Sequence, residues 1–311
     1  MPPLYTFSTN FTKLGFCATF LINMIFINLT LSYTKHITVT YKRMLVVFAA
    51  TCIIFSVVEV ISEPYSHNFN GGLLYFSLAD TNTFSHSFLT LTLWINASCY
   101  VAQLGFIAIQ FLFRFFTLIH HPFHKSFHGR SQLFWIFYFF MIAITYGLSV
   151  YIFLQPDDYS DAYMEAEVWK VYQRRIKNLP RVEAVAYEKG RVRWRIVTFC
   201  AIGLIIIGSQ YFIILFCALK MQSYMKSHLE NFSTRNKKLE MQFLKALTIQ
   251  FILPTFLITL PIGFVIVVPL LKMEISYQTG VIFALYSLYP PLDSIATMVI
   301  VKEYKNCAKR E

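Results

Sequence analysis

Seven stretches of mostly apolar residues, each about twenty long or longer, recur along this 311-residue chain. They run at roughly 14–32, 44–62, 86–118, 132–154, 194–219, 244–270 and 277–301. A bilayer core of about 30 Å is crossed by about 20 apolar residues in a helix, so each stretch can span a membrane. The shortest gap lies around Lys272 and Glu274. Without it the last two stretches would fuse into a span of more than ~50 residues, which no bilayer accommodates. The chain is 56% hydrophobic and only 14% charged, against about 45–50% and about 25% in soluble domains. Soluble globular, disordered, collagenous and coiled-coil classes are thereby excluded. The expected fold is all-α: a polytopic membrane protein with a seven-transmembrane helix bundle over 1–311, closed by a short cytoplasmic tail at 302–311.

Lys and Arg in short loops set the orientation of such a bundle. With the N-terminus outside, the inner loops and tail carry Lys35, Lys42, Arg43, Arg114, Lys125, Arg130, Lys220, Lys226, Arg235, Lys237, Lys238, Lys245, Lys302, Lys305, Lys309 and Arg310. The short outer segments carry only Lys13 and Lys272. Residues 155–195 hold nine further bases among seven acids, and a segment of that length counts for less. The net charge of +11 therefore reports topology, not nucleic-acid binding. Asn10-Phe11-Thr12 is a glycosylation sequon on the outer side. The six cysteines show no CxxC or paired framework, so neither a zinc site nor a secretory disulfide scaffold follows. Cys307, near the inner face among basic residues, suits palmitoylation or remains a free thiol.

Polar groups inside the spans narrow the function. Asn96, Gln103, Gln110 and Thr117 recur every seven residues in the third span and so share one helix face. Facing lipid they would be unsatisfied, so the face points into the bundle. The plainer use of such a stripe is interhelical hydrogen bonding, at about 0.6 kcal/mol per pair. Arg114 follows one turn after Gln110 and is a functional candidate. Pro254 and Pro261 kink the sixth span. Asp293 lies within the seventh and needs a partner. Glu59, near the outer end of the second span, is expected to reach water at the interface beside Glu63. In 155–193, acids precede bases as a helix dipole favours. That segment reads as a solvated helical lid ended by Pro180.

At these positions the chain resembles the nematode seven-transmembrane chemosensory receptors of the serpentine receptor class r (Str) family, over essentially its whole length. The resemblance rests on Glu63-Pro64-Tyr65-Ser66-His67 after the second span and Phe113-Arg114-Phe115 at the end of the third. It continues in the Gln-x-Phe-like pattern from Gln242 and Phe243 through Gln250 to Pro254, in Tyr289-Pro290-Pro291-Leu292-Asp293, and in Glu303-Tyr304-Lys305. Phe stands at 113 and 115 where the family carries Tyr, and Ser294 replaces its second Pro. No Cys lies at the outer end of the third span or in 155–193, so the disulfide of rhodopsin-like receptors cannot form.

The resemblance implies a G protein-coupled olfactory receptor at the plasma membrane, with an extracellular N-terminus and placement in a sensory-neuron cilium. A small odorant and a heterotrimeric G protein are its implied partners, with no cofactor. Arg114 would meet the G protein or lock the inactive state. Tyr289, Pro290 and Asp293 would form the inner switch, with Pro254 as the hinge. Aromatic outer halves suit a small volatile or lipophilic ligand, and Asn96, Tyr100, Gln103, Tyr277 and Phe283 are the candidate contacts.

A transporter or ligand-gated channel is the alternative. Transporters often carry repeats with paired broken helices, which this sequence lacks, and insect-type olfactory channels place the N-terminus inside. The histidines at 120, 121, 124 and 128 suggest a di-iron enzyme only superficially, because the other four are scattered over both sides and too few ligands share one side. No constellation for enzyme chemistry or metal binding emerges.

Overall fold

Within a bilayer a helix satisfies its own backbone, and the apolar runs obey that constraint. The computed structural model describes residues 4–34, 37–227, 234–273 and 275–307. Its long helices are α1 (Leu4–Ser32), α2 (Val39–Ser62), α3 (His86–Leu118), α4 (Gln132–Phe153), α6 (Trp194–Ser227) and α7 (Thr234–Pro254). The last continues through a π-helical turn at Thr255–Thr259 into α8 (Leu260–Val267). Six of these helical stretches are long and apolar enough to cross a membrane.

The seventh run is two short helices, α9 (Val281–Tyr286) and α10 (Tyr289–Ile300). Pro290 and Pro291 supply no amide donors, and their rings would meet the carbonyls one turn back. They therefore start a new helix instead of continuing the old one. Opposite this break Gly15 of α1 lets the helices approach closely: a β-carbon there would collide with the side chain of Ser287. A small helix α11 (Lys302–Cys307) follows, and Tyr304 lies 2.9 Å, hydroxyl to hydroxyl, from Thr30 of α1.

The helix α3 is the axis of the bundle. In its most apolar window 72% of residues are buried, against 17–33% in the other five long helices. Of the polar stripe expected on it, Asn96, Gln103 and Gln110 are buried at 5% exposure or less and Thr117 is half-buried, while Arg114 is 6% exposed.

At the end of the bundle nearest the N-terminus lies a cap that the apolar runs did not announce. Strands β1 (Pro64–Phe69) and β2 (Gly72–Ser77) form a hairpin, joined by β3 (Arg181–Val185) on one side and β6 (Ser276–Tyr277) on the other. A small hairpin of β4 (Tyr187–Glu188) and β5 (Arg191–Val192) follows β3. The sheet thus ties together the connections after the second, fourth and sixth spans. Helix α5 (Asp158–Tyr172) lies on it and ends at Gln173, in the left-handed region, before Pro180.

The cap has its own apolar core, in which Tyr65, Leu74 and Phe76 of the hairpin meet Met164, Val168 and Tyr172 of α5. The segment expected to be a solvated lid is thus partly buried. Its charges pair internally. Arg181 binds both Asp161 and Glu183, and Arg193 and Arg195 both reach Asp157. These bases are thus spent on the segment's own acids. Glu59, expected at the water interface, is only 1% exposed, and its Oε1 has no hydrogen-bond partner among the described residues. The β1–β2 hairpin folds back over the end of α2 and excludes the water that a helix end normally meets.

Candidate functional site

Strand alternation makes the cap sheet two-faced. Leu74 and Phe76 point to α5, while Leu73 and Tyr75 point to the bundle, with Val182 of β3 beside them. Under this inner face lies a cavity of about 90 Å³. Asn96, Ala97 and Tyr100 of α3 form one wall, Tyr146, Val150 and Phe199 another, and Ile262, Val265, Phe283 and Tyr286 close it. The walls are apolar and none of the lining side chains is charged. Phe283 rests on Tyr75 with ring centroids 5.2 Å apart.

Three of the five residues singled out as ligand contacts meet here: Asn96, Tyr100 and Phe283. Gln103 sits just outside the lining, accepting a 3.1 Å hydrogen bond from the Tyr286 hydroxyl. Tyr277 is on β6 and 64% exposed. Pairing with β1 carries it onto the cap, away from the cavity. Tyr75 and Tyr146 were not anticipated. Tyr75 belongs to a strand that the span analysis treated as a short loop, although Asn70-Gly71 is a strong hairpin signal.

The cavity is wired to the bend of the sixth span. The Tyr100 hydroxyl hydrogen-bonds Thr259. Thr259 also lies 2.6 Å from the Tyr211 hydroxyl, which in turn lies 3.0 Å from Thr255. Both threonines belong to the π turn that follows Pro254. Losing the proline's amide donor opens the helical ladder at this point, and side-chain hydroxyls fill the gap.

At the opposite end of α3, Arg114 is buried between two rings. Its guanidinium carbon is 3.6 Å from the Tyr41 centroid and 3.9 Å from that of Phe243. Nη1 lies 3.6 Å from Glu240 Oε2, while Nε and Nη2 have no hydrogen-bond partner among the described residues. The flanking Phe113 packs against Tyr41 and Phe127, and Phe115 against Phe216 of α6. One turn of motif on α7 thus supplies several roles. Glu240 and Phe243 hold Arg114, and Gln242 accepts a hydrogen bond from the backbone of Lys302. Further along α7, Gln250 donates to Asp293 at 2.9 Å. Neither Glu240 nor Gln250 was singled out from sequence, although both flank or belong to the sixth-span pattern.

Asp293 is 2% exposed, and among the described residues Oδ1 has no hydrogen-bond partner. The Tyr289 hydroxyl, Thr297 Oγ1 and both side-chain polar atoms of Gln110 are likewise buried without partners. Pro290 lies in the first turn of α10. Pro254 and Asp293 are thus joined through Gln250, one turn before the proline. Asn10 is exposed on α1, and the side chain of Cys307 lies outside the described residues. Among the described residues there is no group of three or more His, Cys, Asp or Glu side chains able to hold a metal.

Comparison with known proteins places this arrangement among receptors. A family model described as serpentine type 7TM GPCR chemoreceptor Str matches residues 8–309. The chain is similar to G-protein coupled receptor str-33 of Caenorhabditis elegans, at 35% identity over 305 residues, covering 96% of this chain and 88% of that protein. It is 24% identical to serpentine receptor class r-10 of Caenorhabditis briggsae and 22% identical to that of Caenorhabditis elegans. Each alignment covers 94% of this chain and 86% of the relative.

Proposed function

The chain belongs to the Str family of serpentine seven-transmembrane chemoreceptors, and from that premise we propose that it is a G protein-coupled receptor for a small odorant. The cap and Asn10 face outward, and the basic end with α11 faces the cytosol. The protein works at the plasma membrane, with the sensory cilium as its site by family resemblance. The cavity under the sheet holds a small lipophilic ligand against Asn96, Tyr100 and Phe283. A heterotrimeric G protein docks at the Arg114 end.

The observation that carries this reading is the hydroxyl chain from Tyr100 through Thr259 to the π turn after Pro254. A ligand shifts a two-state bundle only by its differential affinity for the two states. Ligand beside Tyr100 changes what that hydroxyl does, and the turn it holds is the weakest point of the sixth span. Swinging α7 there moves Glu240 and Phe243 off Arg114 and strains the Gln250–Asp293 bond. Arg114 lies 18 positions beyond Asn96 on a continuous helix, about 27 Å at 1.5 Å per residue. The two sites therefore cannot communicate by contact and need such a moving element.

The test combines topology and signalling. Epitope tags at the two termini, probed on intact and permeabilised cells, should show the N-terminus outside and the C-terminus inside. An odorant panel read through G-protein nucleotide exchange should then yield an agonist whose response is lost in Arg114→Ala. A cytosolic N-terminus sinks the receptor reading and redirects attention to conductance and flux.

A further inference from the structure

Asn96 is 5% exposed and lines the cavity. Its amide is oriented by Tyr75, whose hydroxyl donates to Oδ1 at 3.0 Å. That is the only hydrogen bond of this hydroxyl among the described residues; turning the amide to present Nδ2 would leave both the hydroxyl proton and Oδ1 unmet, so the oxygen faces it. Nδ2 is then left buried with no partner. An unmet N–H in an apolar wall costs about 1–3 kcal/mol, and a ligand oxygen placed in the cavity removes that cost. Of the other polar groups in the lining, Ser66 is engaged with Thr279, Tyr100 with Thr259 and Tyr286 with Gln103, whereas the Tyr146 hydroxyl has no hydrogen bond among the described residues and can turn to serve a ligand as donor or acceptor.

Two further observations bound the ligand. No charged side chain lines the cavity, so a charged molecule would enter without a counterion and at high desolvation cost. The volume of about 90 Å³ is below the ~150 Å³ of an apolar cavity that binds benzene.

We propose that Asn96 is a polar anchor of this cavity, and that it selects uncharged molecules smaller than benzene bearing an acceptor oxygen, such as an ether, ester or carbonyl. Tyr75 is a positioning residue that aims the amide. This rests on the ligand-cavity part of the receptor reading and adds the ligand's chemistry to it.

Five-membered rings test the inference because shape stays constant while hydrogen bonding changes. Tetrahydrofuran offers an acceptor, cyclopentane offers neither donor nor acceptor, and pyrrole offers a donor. Their binding to the full chain in phospholipid nanodiscs is measured by saturation-transfer NMR in sealed tubes. Ratios of affinity to that of cyclopentane, compared between wild type and Asn96→Leu, cancel differences in water solubility. The tetrahydrofuran ratio should fall about tenfold in Asn96→Leu, and the pyrrole ratio should not fall. Tyr75→Phe, which keeps the ring and releases the amide to turn, should raise the pyrrole ratio. It also serves as the second variant should Asn96→Leu fail to fold.

A tetrahydrofuran ratio unchanged by Asn96→Leu, a pyrrole ratio that falls instead, or no binding of any ring overturns the assignment. The readout contains no G protein, so the two readings separate. Selective binding without nucleotide exchange sinks the receptor reading alone. Agonists indifferent to Asn96→Leu sink this inference alone.

Discussion

Gln250 on α7 donates to Asp293 on α10 across 2.9 Å, and among the described residues the other carboxylate oxygen of Asp293 has no hydrogen-bond partner. One amide is thus the only direct hydrogen bond from the described residues to a buried acid, and it joins the two spans whose relative motion the proposed mechanism requires. Gln250→Leu should lower the thermal stability of the purified receptor by the equivalent of about 1–3 kcal/mol, the cost of leaving a buried acceptor unmet. Asp293→Asn, which removes the acid while keeping an acceptor for Gln250, should raise the melting temperature and weaken agonist-driven nucleotide exchange. A variant that gains stability and keeps full signalling would show that Asp293 is structural only.

Arg114 is held in two different ways, by ring faces and by Glu240, and the two should separate experimentally. Glu240 is 32% exposed, so solvent screens the pair and it contributes under about 1 kcal/mol. Glu240→Gln should accordingly raise agonist-free nucleotide exchange by no more than about fivefold. Arg114→Lys should impair coupling even though charge is kept, because a guanidinium plane stacks between Tyr41 and Phe243 and an ammonium does not. Basal exchange unchanged in Glu240→Gln would remove the pair from the inactive-state lock.

The cap should respond to acid through His67. This side chain is 1% exposed and joins three connections. Nδ1 lies 3.0 Å from the Tyr172 hydroxyl, Nε2 lies 3.3 Å from Ser276 Oγ, and Glu167 is 3.8 Å away. Burial lowers its pKa below the usual value, against the pull of Glu167 in the other direction. The unfolded chain therefore takes the proton more readily, so this contribution is complete above about pH 6.5 and is lost as pH falls from there through the lowered folded-state value. Burial also raises Glu183 to about 7, with Arg181 opposing and Asp161 adding to the rise. Its contribution has the opposite sign, being complete at low pH and lost as pH rises through about 7. Comparison with His67→Gln isolates the histidine. Between pH 7.5 and 5.5 the wild type should lose roughly 2 °C more in melting temperature than the variant. Equal losses would place the acid response elsewhere.

How far these features were legible in sequence depends on the kind of signal. Six of the seven spans and the inward face of Asn96, Gln103 and Gln110 could be read, because membrane burial imposes length and periodicity. The cap could not be read from span counting, since its strands are short and pair between connections far apart in sequence. Tyr277 went to the wrong place for that reason: its position follows from pairing with Asn68, and nothing local to 277 encodes it. Glu59 falls to the same cause, because span counting assigns no structure to the hairpin at the end of α2. The partners of Arg114 and Asp293 depend on how α7 docks, and sequence supplied the motif on α7 without its register against α3 and α10.

That docking turns on Pro254, and its replacement gives the sharpest separation of stability from function. Pro254→Ala restores an amide donor and removes a ring clash, a change worth up to about 3 kcal/mol in a helix interior. The gain should be smaller here, because Thr255 and Thr259 already satisfy the open turn through Phe251 and Pro254 carbonyls and through Tyr211. A straighter sixth span would resist the swing that frees Arg114. The expected result is therefore a melting temperature equal to or above wild type, agonist affinity within about threefold, and a maximal nucleotide-exchange response clearly reduced. Thr259→Val should do the reverse to the linkage, keeping the bend but cutting Tyr100 from it, so that ligand binds and the response weakens. Full agonist efficacy in both variants would show that the π turn is a static kink and that ligand reaches the Arg114 end by another route.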